Sequence, residues 1–295
     1  RAPFMLEIFL TKIWSFLKKL FMKIRYAKIF RSLFEHIGEL IIEVLVKRKK
    51  ITLHPTDGWG TRLRILLGWY EPESTIVCKK IIHSGTKALD IGAHIGYYSR
   101  LFSELVGSEG KVFSFEPHPE TYYLLCQNIR FSKYPNIIPI KKAISDKSGK
   151  VEFFEATGSG KSSLYDVSQY LPHFILRRKL LVETITIDDF LAKEGNPEIN
   201  FIKMDIEGAE PQALIGMSQT IARSKNLAMI VEFNPGALQA GGTKPKEFLE
   251  QLSKMGFKTQ AIKPDGKLIN VDQIDKSVYS LGPEGYINLL CLKNN

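Results

Sequence analysis

Three acidic segments contain the residues whose types and spacing best suit chemistry. In the first, Asp90-Ile-Gly-Ala-His-Ile-Gly96, an apolar run ends at an aspartate and passes into a glycine-bearing turn. Gly92 and Gly96 permit a tight turn and a close approach of the backbone to a ligand. The segment is one glycine short of the dinucleotide fingerprint G-x-G-x-x-G, which disfavours a nicotinamide-dependent oxidoreductase but leaves it as an alternative.

The second segment is Val112-Phe-Ser-Phe-Glu116, which also ends an apolar run at an acidic residue. Glu116 follows the glycine turn by about 20 residues, the interval at which a carboxylate accepts hydrogen bonds from the hydroxyls of an adenosine ribose. A helix cap or an exposed glutamate is the plain alternative. The preceding turn favours ribose binding.

The third segment, Phe201-Ile-Lys-Met-Asp-Ile-Glu-Gly-Ala-Glu210, brings Asp205, Glu207 and Glu210 together after another apolar run. Helix N-termini favour anions, so one of these carboxylates has a capping role as its alternative, most of all Glu210. Asp205 is expected at the tip of the strand. It would face the crevice at the carboxyl ends of the strands, where open α/β sheets bind their ligands.

Alternating strands and helices must position these segments. The chain predicts strands at Lys87–Ile91, Lys111–Glu116, Phe201–Asp205 and Ala228–Phe233, separated by helices such as Tyr97–Val106 and Pro119–Phe131. This order implies parallel pairing through right-handed crossovers, hence an α/β fold with a doubly wound, mostly parallel sheet. One helix is expected over 209–222, and a loop-like insertion, the expected specificity element, over 156–179. Residues 51–70 are predicted to form one or two strands.

The first 50 residues differ from the rest in charge and pattern. They carry twelve basic and four acidic residues, so the net charge of +10 lies mostly here. We expect a basic, amphipathic helical extension over 1–50 and a catalytic domain over 51–295. Two interpretations stay open for the extension: an interfacial helix on an anionic membrane surface, or packing on protein, including a second copy of the chain.

The composition excludes several other classes of protein. Cys78, Cys126 and Cys291 are too few and too widely spaced for a disulfide framework or a zinc site. No apolar run reaches the roughly 20 residues of a membrane-spanning helix. Outside 1–50 the chain is nearly neutral, so no nucleic-acid partner is expected. We expect a cytoplasmic location, peripheral on the inner face of the membrane if the extension binds lipid.

The three segments resemble the FkbM family of S-adenosylmethionine-dependent methyltransferases. The resemblance extends to an ordered set of further segments: Tyr70-Glu-Pro-Glu73, Tyr123-Leu-Leu-Cys-Gln-Asn128, Ser162-Ser-Leu164 and Thr186-Ile-Asp188. It implies a seven-stranded methyltransferase sheet with one antiparallel strand near the C-terminus. It also implies S-adenosylmethionine as the cofactor and a hydroxyl group of a glycan, glycolipid or similar metabolite as the acceptor.

The resemblance also implies roles for individual residues. Those expected to bind the cofactor are Asp90, Gly92, His94, Gly96, Tyr97, Glu116, Pro117, Ala143, Ile144, Ser145 and Asp205. Asp205 would face the methionine amino group or the acceptor. The resemblance implies an asparagine at the position of His94, so this residue is a departure; its side chain either shapes the turn, which we favour, or places an imidazole near the acceptor.

An alcohol is a poor nucleophile and benefits from a nearby base. The candidates are Asp205, Glu207, His94 and Glu232, which ends the strand after Asp205. Asp205, Glu207 and Glu232 have the hard oxygen ligands that a divalent cation prefers; without a histidine ligand set, we predict no metal. A membrane-tethered binding protein that has lost catalysis remains an alternative function.

Overall fold

The structure, a computed structural model, describes residues 27–171, 174–271 and 285–293. The first half of the predicted N-terminal extension lies outside these ranges. The helices are α1 (Ala27–Lys49), α2 (Trp59–Leu67), α3 (Pro72–Ile81), α4 (Tyr97–Val106), α5 (Pro119–Ile129), α6 (Ile187–Lys193), α7 (Glu210–Ile215), α8 (Ser218–Arg223), α9 (Pro235–Ala240) and α10 (Pro245–Lys254). The strands are β1 (Lys87–Ile91), β2 (Lys111–Phe115), β3 (Ile137–Ile140), β4 (Ala143–Ile144), β5 (Gly149–Ala156), β6 (Leu176–Ile185), β7 (Phe201–Met204), β8 (Ala228–Phe233), β9 (Phe257–Ile262), β10 (Leu268–Asn270) and β11 (Ile287–Lys293).

The main sheet has the order β10-β9-β11-β8-β7-β1-β2-β3. Strands β3, β2, β1, β7 and β8 pair in parallel, whereas β11 is antiparallel to both β8 and β9. The mostly parallel sheet of an α/β fold predicted from the sequence is thereby confirmed. It has one strand more than expected, because β10 adds a second antiparallel strand at the edge beside β9.

The two faces of the main sheet differ in chemistry. One face is the apolar core, to which the central strands contribute side chains such as Leu89, Phe113, Ile202 and Val231. Successive residues of a strand point to opposite faces, and aligned residues of neighbouring strands share a face. Asp90 is aligned with Ser114 and Lys203, and Glu232 with Asn288; Lys203 is aligned with Ile230, two residues before Glu232. These five buried polar residues therefore form a stripe across the second face.

A second, three-stranded sheet has the order β4-β6-β5. The predicted insertion over 156–179 connects its long antiparallel strands β5 and β6, of which β6 begins already at Leu176. A 3-10 turn, Ser159–Lys161, lies inside the described part of the insertion.

Two local predictions are wrong. Residues 59–67 form helix α2 instead of a strand, since the same residues bury Ile65 and Leu66 on one helical face and Gly68 ends the helix in the left-handed conformation. The helix expected over 209–222 is interrupted between α7 and α8. There the backbone of Ser145 approaches so closely that a Cβ at Gly216 would lie 2.0 Å from its carbonyl oxygen.

The described chain divides into two compact units. One holds residues 27–51 and 58–70, and the other holds residues 52–57 together with the described residues from Glu71 onward. Among the described residues, no helix is both long and apolar enough to cross a membrane.

Candidate active site

The turn after β1 is fixed by backbone hydrogen bonds to the end of β2. The amides of Gly92 and Ala93 donate to the carbonyl of Phe115 at 3.0 and 2.9 Å. Gly92 and Gly96 have φ angles of +84° and +87°, which side chains rarely tolerate. A Cβ at Gly96 would also lie 2.7 Å from Leu125 Cδ1. Both glycines are thus required by the packing of the turn itself.

Glu116 follows β2 directly and is buried beside this turn. One carboxylate oxygen accepts a hydrogen bond from the amide of His94 at 3.0 Å, and the other accepts one from the amide of His118 at 2.9 Å. Burial raises the pKa of Glu116 to about 7, although these two amides act in the opposite direction. A buried carboxylate with spare lone pairs is well suited to hydroxyl donors.

Asp90 lies one residue before the end of β1 and is 1% exposed. Its carboxylate accepts a 2.5 Å hydrogen bond from Ser99 Oγ on α4. Burial raises the pKa of Asp90 to about 6. Asp90 therefore ties β1 to the helix that leaves the turn, and it lies on the polar face of the sheet.

His94 has a φ angle of +52° within the turn. Among residues with a side chain, asparagine, aspartate and histidine are enriched in this left-handed region, so a histidine is compatible with the backbone here. Burial lowers the pKa of His94, and its ring centroid lies 6.3 Å from that of His54. Tyr97 follows at the start of α4, half-buried, with its ring edge-on to Tyr98.

The remaining residues expected near the cofactor belong to the small sheet and to the end of β2. Ala143 and Ile144 form β4 and are buried in two different apolar clusters. Ser145 is also buried and donates from its amide to the carbonyl of Ile185 at 3.3 Å. Pro117 is half-buried between Glu116 and His118.

The third segment forms an acidic cluster with the end of β8. Carboxylate oxygens of Asp205, Glu207 and Glu232 all lie within 4.8 Å of one another. Burial and the nearby carboxylate of Asp205 raise the pKa values of Glu207 and Glu232 well above the usual range. Glu210 instead closes the loop, because its carboxylate accepts from the amides of Ile206 and Gly208 at 3.0 and 2.9 Å.

Lys203 is a member of this site that the sequence analysis did not single out. Its side chain is 2% exposed, and its Nζ lies 3.1 Å from Asp205 Oδ2. Burial alone would lower the pKa of Lys203, but Asp205, Glu71 and Glu232 together raise it. The signal in the sequence was a lysine within an otherwise apolar strand, two residues before an aspartate and hence on the same face.

The insertion between β5 and β6 contacts the acidic loop. The hydroxyl of Ser163, which is 1% exposed, donates to the carbonyl of Glu207 at 2.6 Å. Ser163 is itself held by two backbone hydrogen bonds to Phe154 on β5. Glu207 has a φ angle of +53°, so the loop that presents its carboxylate is held in an unusual conformation.

Comparison with known proteins finds a match to a model of the methyltransferase FkbM domain over residues 90–259. The hexuronic acid methyltransferase AglP of Haloferax volcanii is 28% identical over 175 residues, which are 59% of this chain and 64% of that protein. The 2-O-methyltransferase NoeI of Sinorhizobium fredii is 28% identical over 147 residues, 46% of this chain and 59% of that protein. The chain thus spans about three fifths of the length of these curated relatives.

Proposed function

The chain belongs to the FkbM methyltransferase family, and from that premise we propose that it transfers a methyl group from S-adenosylmethionine to a hydroxyl group of a glycan, glycolipid or similar metabolite. The observation that carries the proposal is the set of carboxylates at one edge of the sheet. Glu116 follows β2, the glycine turn follows β1, and Asp205 and Glu232 lie at the ends of β7 and β8. Open α/β sheets bind ligands at this edge.

The chain's residues fit the cofactor. Glu116 offers the ribose hydroxyls a buried carboxylate that two backbone amides already orient. Such hydroxyl donors favour the ionised form, against the burial that raises the pKa of Glu116 to about 7. The turn from Gly92 to Gly96 would hold the methionine part, and residues 143–145 and Pro117 would lie by the adenine.

S-adenosylmethionine supplies a methyl group that is already activated by its bond to a positively charged sulfur. The protein therefore has to align the acceptor hydroxyl with this methyl carbon and to remove the hydroxyl proton. We assign Glu207 as the base that accepts the hydroxyl proton. Glu207 is half-buried, lies beside Asp205 and has a pKa raised by burial. Asp205, whose side chain is 25% exposed, would accept a hydrogen bond from the acceptor.

The names of the relatives support a carbohydrate acceptor, and a contact of the insertion bears on which acceptor is chosen. AglP is named for a hexuronic acid and NoeI for a 2-O position. The insertion that we interpret as the specificity element is tied to the acidic loop through Ser163 and the carbonyl of Glu207, so a change in its sequence would reshape the acceptor side of the crevice.

Radiolabelled S-adenosylmethionine and a panel of acceptors test this function. The panel should include methyl β-D-glucuronide, methyl β-D-glucoside and glycolipids, with isothermal calorimetry of S-adenosylhomocysteine and NAD in parallel. We expect S-adenosylhomocysteine to bind, NAD not to bind, and label to enter at least one carbohydrate. Tight binding of NAD alone would favour the oxidoreductase, and binding of S-adenosylhomocysteine without transfer to any acceptor would favour the non-catalytic binding protein.

We further propose that residues 1–50 attach the protein to an anionic membrane surface. On α1 the apolar side chains of Ile37, Leu40 and Val44 are 45%, 63% and 65% exposed and recur at helical spacing. The helix ends in Lys47, Arg48 and Lys49, and basic residues near an anionic leaflet contribute about 1 kcal/mol each.

A variant with Ile37, Leu40 and Val44 all replaced by glutamine tests the membrane proposal. The wild type should sediment with vesicles of phosphatidylserine and phosphatidylcholine more than with phosphatidylcholine alone, and the variant should stay in the supernatant. If both proteins stay in the supernatant and the variant alone changes its sedimentation coefficient, the stripe is a homo-oligomer contact instead.

A further inference from the structure

Two carboxylates lie near the ammonium group of Lys203, and two further polar side chains donate hydrogen bonds to one of them, Glu71. Lys203 Nζ lies 3.1 Å from Asp205 Oδ2 and 4.0 Å from Glu71 Oε2. The same oxygen of Glu71 accepts hydrogen bonds from the Tyr98 hydroxyl at 2.9 Å and from Asn288 Nδ2 at 3.1 Å. Lys203 Nζ also lies 5.3 Å from the centre of the Tyr98 ring. The result is a continuous chain of polar contacts from Asn288 to Asp205.

This network is closed to solvent except at one end. The side chains of Lys203 and Glu71 are 2% and 6% exposed, and Asn288 and Tyr98 are also buried. Asp205 is 25% exposed. The network therefore ends at the crevice, on the carboxylate that lies within the acidic cluster.

Stability alone is a weak reason for such an arrangement. Removing an ammonium and carboxylates from water costs solvation free energy, and the attraction between the charges often only balances this cost. A protein with apolar residues of similar size in their place is often equally stable. Glu71 also has a left-handed backbone, with a φ angle of +41° at the start of α3. The buried charges therefore call for a functional reason as well.

We propose that Glu71 and Lys203 are positioning residues that hold the Asp205 carboxylate in the orientation in which it receives the acceptor. This inference rests on the proposed methyl transfer. Lys203 engages Oδ2 of Asp205, so the side chain cannot rotate freely and its second oxygen keeps one direction. Glu71 in turn pairs with Lys203, and Tyr98 and Asn288 donate hydrogen bonds to Glu71.

Two members of the network lie outside the matched family segment of residues 90–259. Glu71 precedes it as the residue directly before α3, and Asn288 follows it on β11, where Asn288 is aligned with Glu232. The family match by itself would thus leave part of the proposed active site out. Residues on both sides of the matched segment contribute side chains to the network on the polar face of the sheet.

The test compares Lys203→Met and Glu71→Gln with a matched control, Lys293→Met. Lys293 is also a lysine whose ammonium is held by the protein, through the carbonyls of Ile221, Ala222 and Ser224, but it lies at the opposite end of β11. The acceptor is whichever of methyl β-D-glucuronide and methyl β-D-glucoside the wild type methylates faster. We expect both network variants to lower kcat by about 100-fold, the effect of a small misplacement of a reacting group.

Binding of S-adenosylhomocysteine separates positioning from folding. The network variants should keep its Kd within about threefold of the wild type, because only transition-state alignment is lost, and Lys293→Met should keep kcat as well. In an Asp205→Asn background, Lys203→Met should lower kcat no further, since the residue through which it acts is gone. Glu71→Gln, which keeps an acceptor for Tyr98 or Asn288, remains informative if Lys203→Met does not fold.

Three results would overturn the inference alone. The first is a loss of kcat that is fully accounted for by a parallel loss of folded protein and of S-adenosylhomocysteine binding. The second is additive effects of Lys203→Met and Asp205→Asn on kcat, and the third is unaffected kcat in the network variants. If the wild type methylates neither glycoside, the comparison uses whichever acceptor of the panel it does methylate. If it binds S-adenosylhomocysteine but methylates no acceptor of the panel, the proposed methyl transfer is wrong, and the inference that rests on it fails too.

Discussion

Gly92 and Asp205 meet where β1 and β7 end: a Cβ at residue 92 would lie 1.9 Å from the carbonyl oxygen of Asp205. The backbone at Asp205 cannot shift easily to make room, because the amide of Asp205 donates a hydrogen bond to the carbonyl of Ile91 at 3.0 Å. The turn expected to hold the cofactor and the loop expected to carry the catalytic carboxylates are therefore in backbone contact. Only glycine permits this contact.

We predict that Gly92→Ala destabilises the protein strongly and abolishes binding of S-adenosylhomocysteine. The matched control is Gly195→Ala, since Gly195 has a similar φ angle of +81° but nothing within 4 Å of an added Cβ. The control should lose about 1–2 kcal/mol of unfolding free energy, the cost of the left-handed backbone alone. Urea denaturation of both variants measures the difference, and equal losses would contradict the importance of the contact with Asp205.

Glu116→Gln should weaken binding of S-adenosylhomocysteine. Hydrogen bonds to a charged group are each worth about 1.5–3 kcal/mol, so we expect Kd to rise by roughly 10- to 100-fold. Calorimetry measures this directly. The affinity for adenosine should fall by the same factor, because the ribose is common to both ligands. A loss confined to S-adenosylhomocysteine would show that Glu116 does not bind the ribose.

The affinity for S-adenosylhomocysteine should also depend on pH through Glu116. Burial raises the pKa of Glu116 to about 7 in the unliganded protein, and ribose hydroxyls stabilise its ionised form. The ligand therefore has to displace a proton below pH 7, so affinity should rise as the pH increases from 6 and level off above about pH 8. The Glu116→Gln variant should lack this rise; a wild type that binds more tightly as the pH falls would contradict the assignment.

His94→Asn should leave kcat nearly unchanged. Asparagine tolerates the left-handed backbone at this position, where His94 has a φ angle of +52°. His94→Ala, which lacks that tolerance, should be destabilised by about 1 kcal/mol without a specific loss of turnover. A catalytic imidazole would instead be revealed by a loss of about 100-fold or more in the asparagine variant.

Methyl transfer should persist in the presence of EDTA. Carboxylate oxygens of Asp205, Glu207 and Glu232 lie close enough together to hold a divalent cation. However, the ammonium of Lys203 already supplies a cation 3.1 Å from Asp205. Initial rates with EDTA, and with EDTA followed by excess Mg²⁺, measure the requirement. Loss of activity in the chelator and recovery with Mg²⁺ would establish a metal centre that we do not expect.

The amino-acid sequence by itself determined the order of the elements in the catalytic part of the chain. The bounds predicted for β1, β8 and α4 agree with the structure, because buried strands and amphipathic helices leave local signals in the sequence. The segments containing Asp90, Glu116 and Asp205 were equally visible, since each acidic residue lies at or just after the end of an apolar run. Local patterns were insufficient where two periods fit the same residues, as in α2.

Only the tertiary structure decided which of these residues share a site. The break between α7 and α8 lies at Gly216, where the backbone of Ser145, more than 70 residues away in the chain, leaves no room for a side chain; the local sequence does not reveal this contact. The pairing of Glu71 with Lys203 and Asn288 spans 217 residues from end to end. Such contacts arise because strands distant in sequence become neighbours in the sheet. A buried lysine is recognisable as part of an active site only once its partners are known.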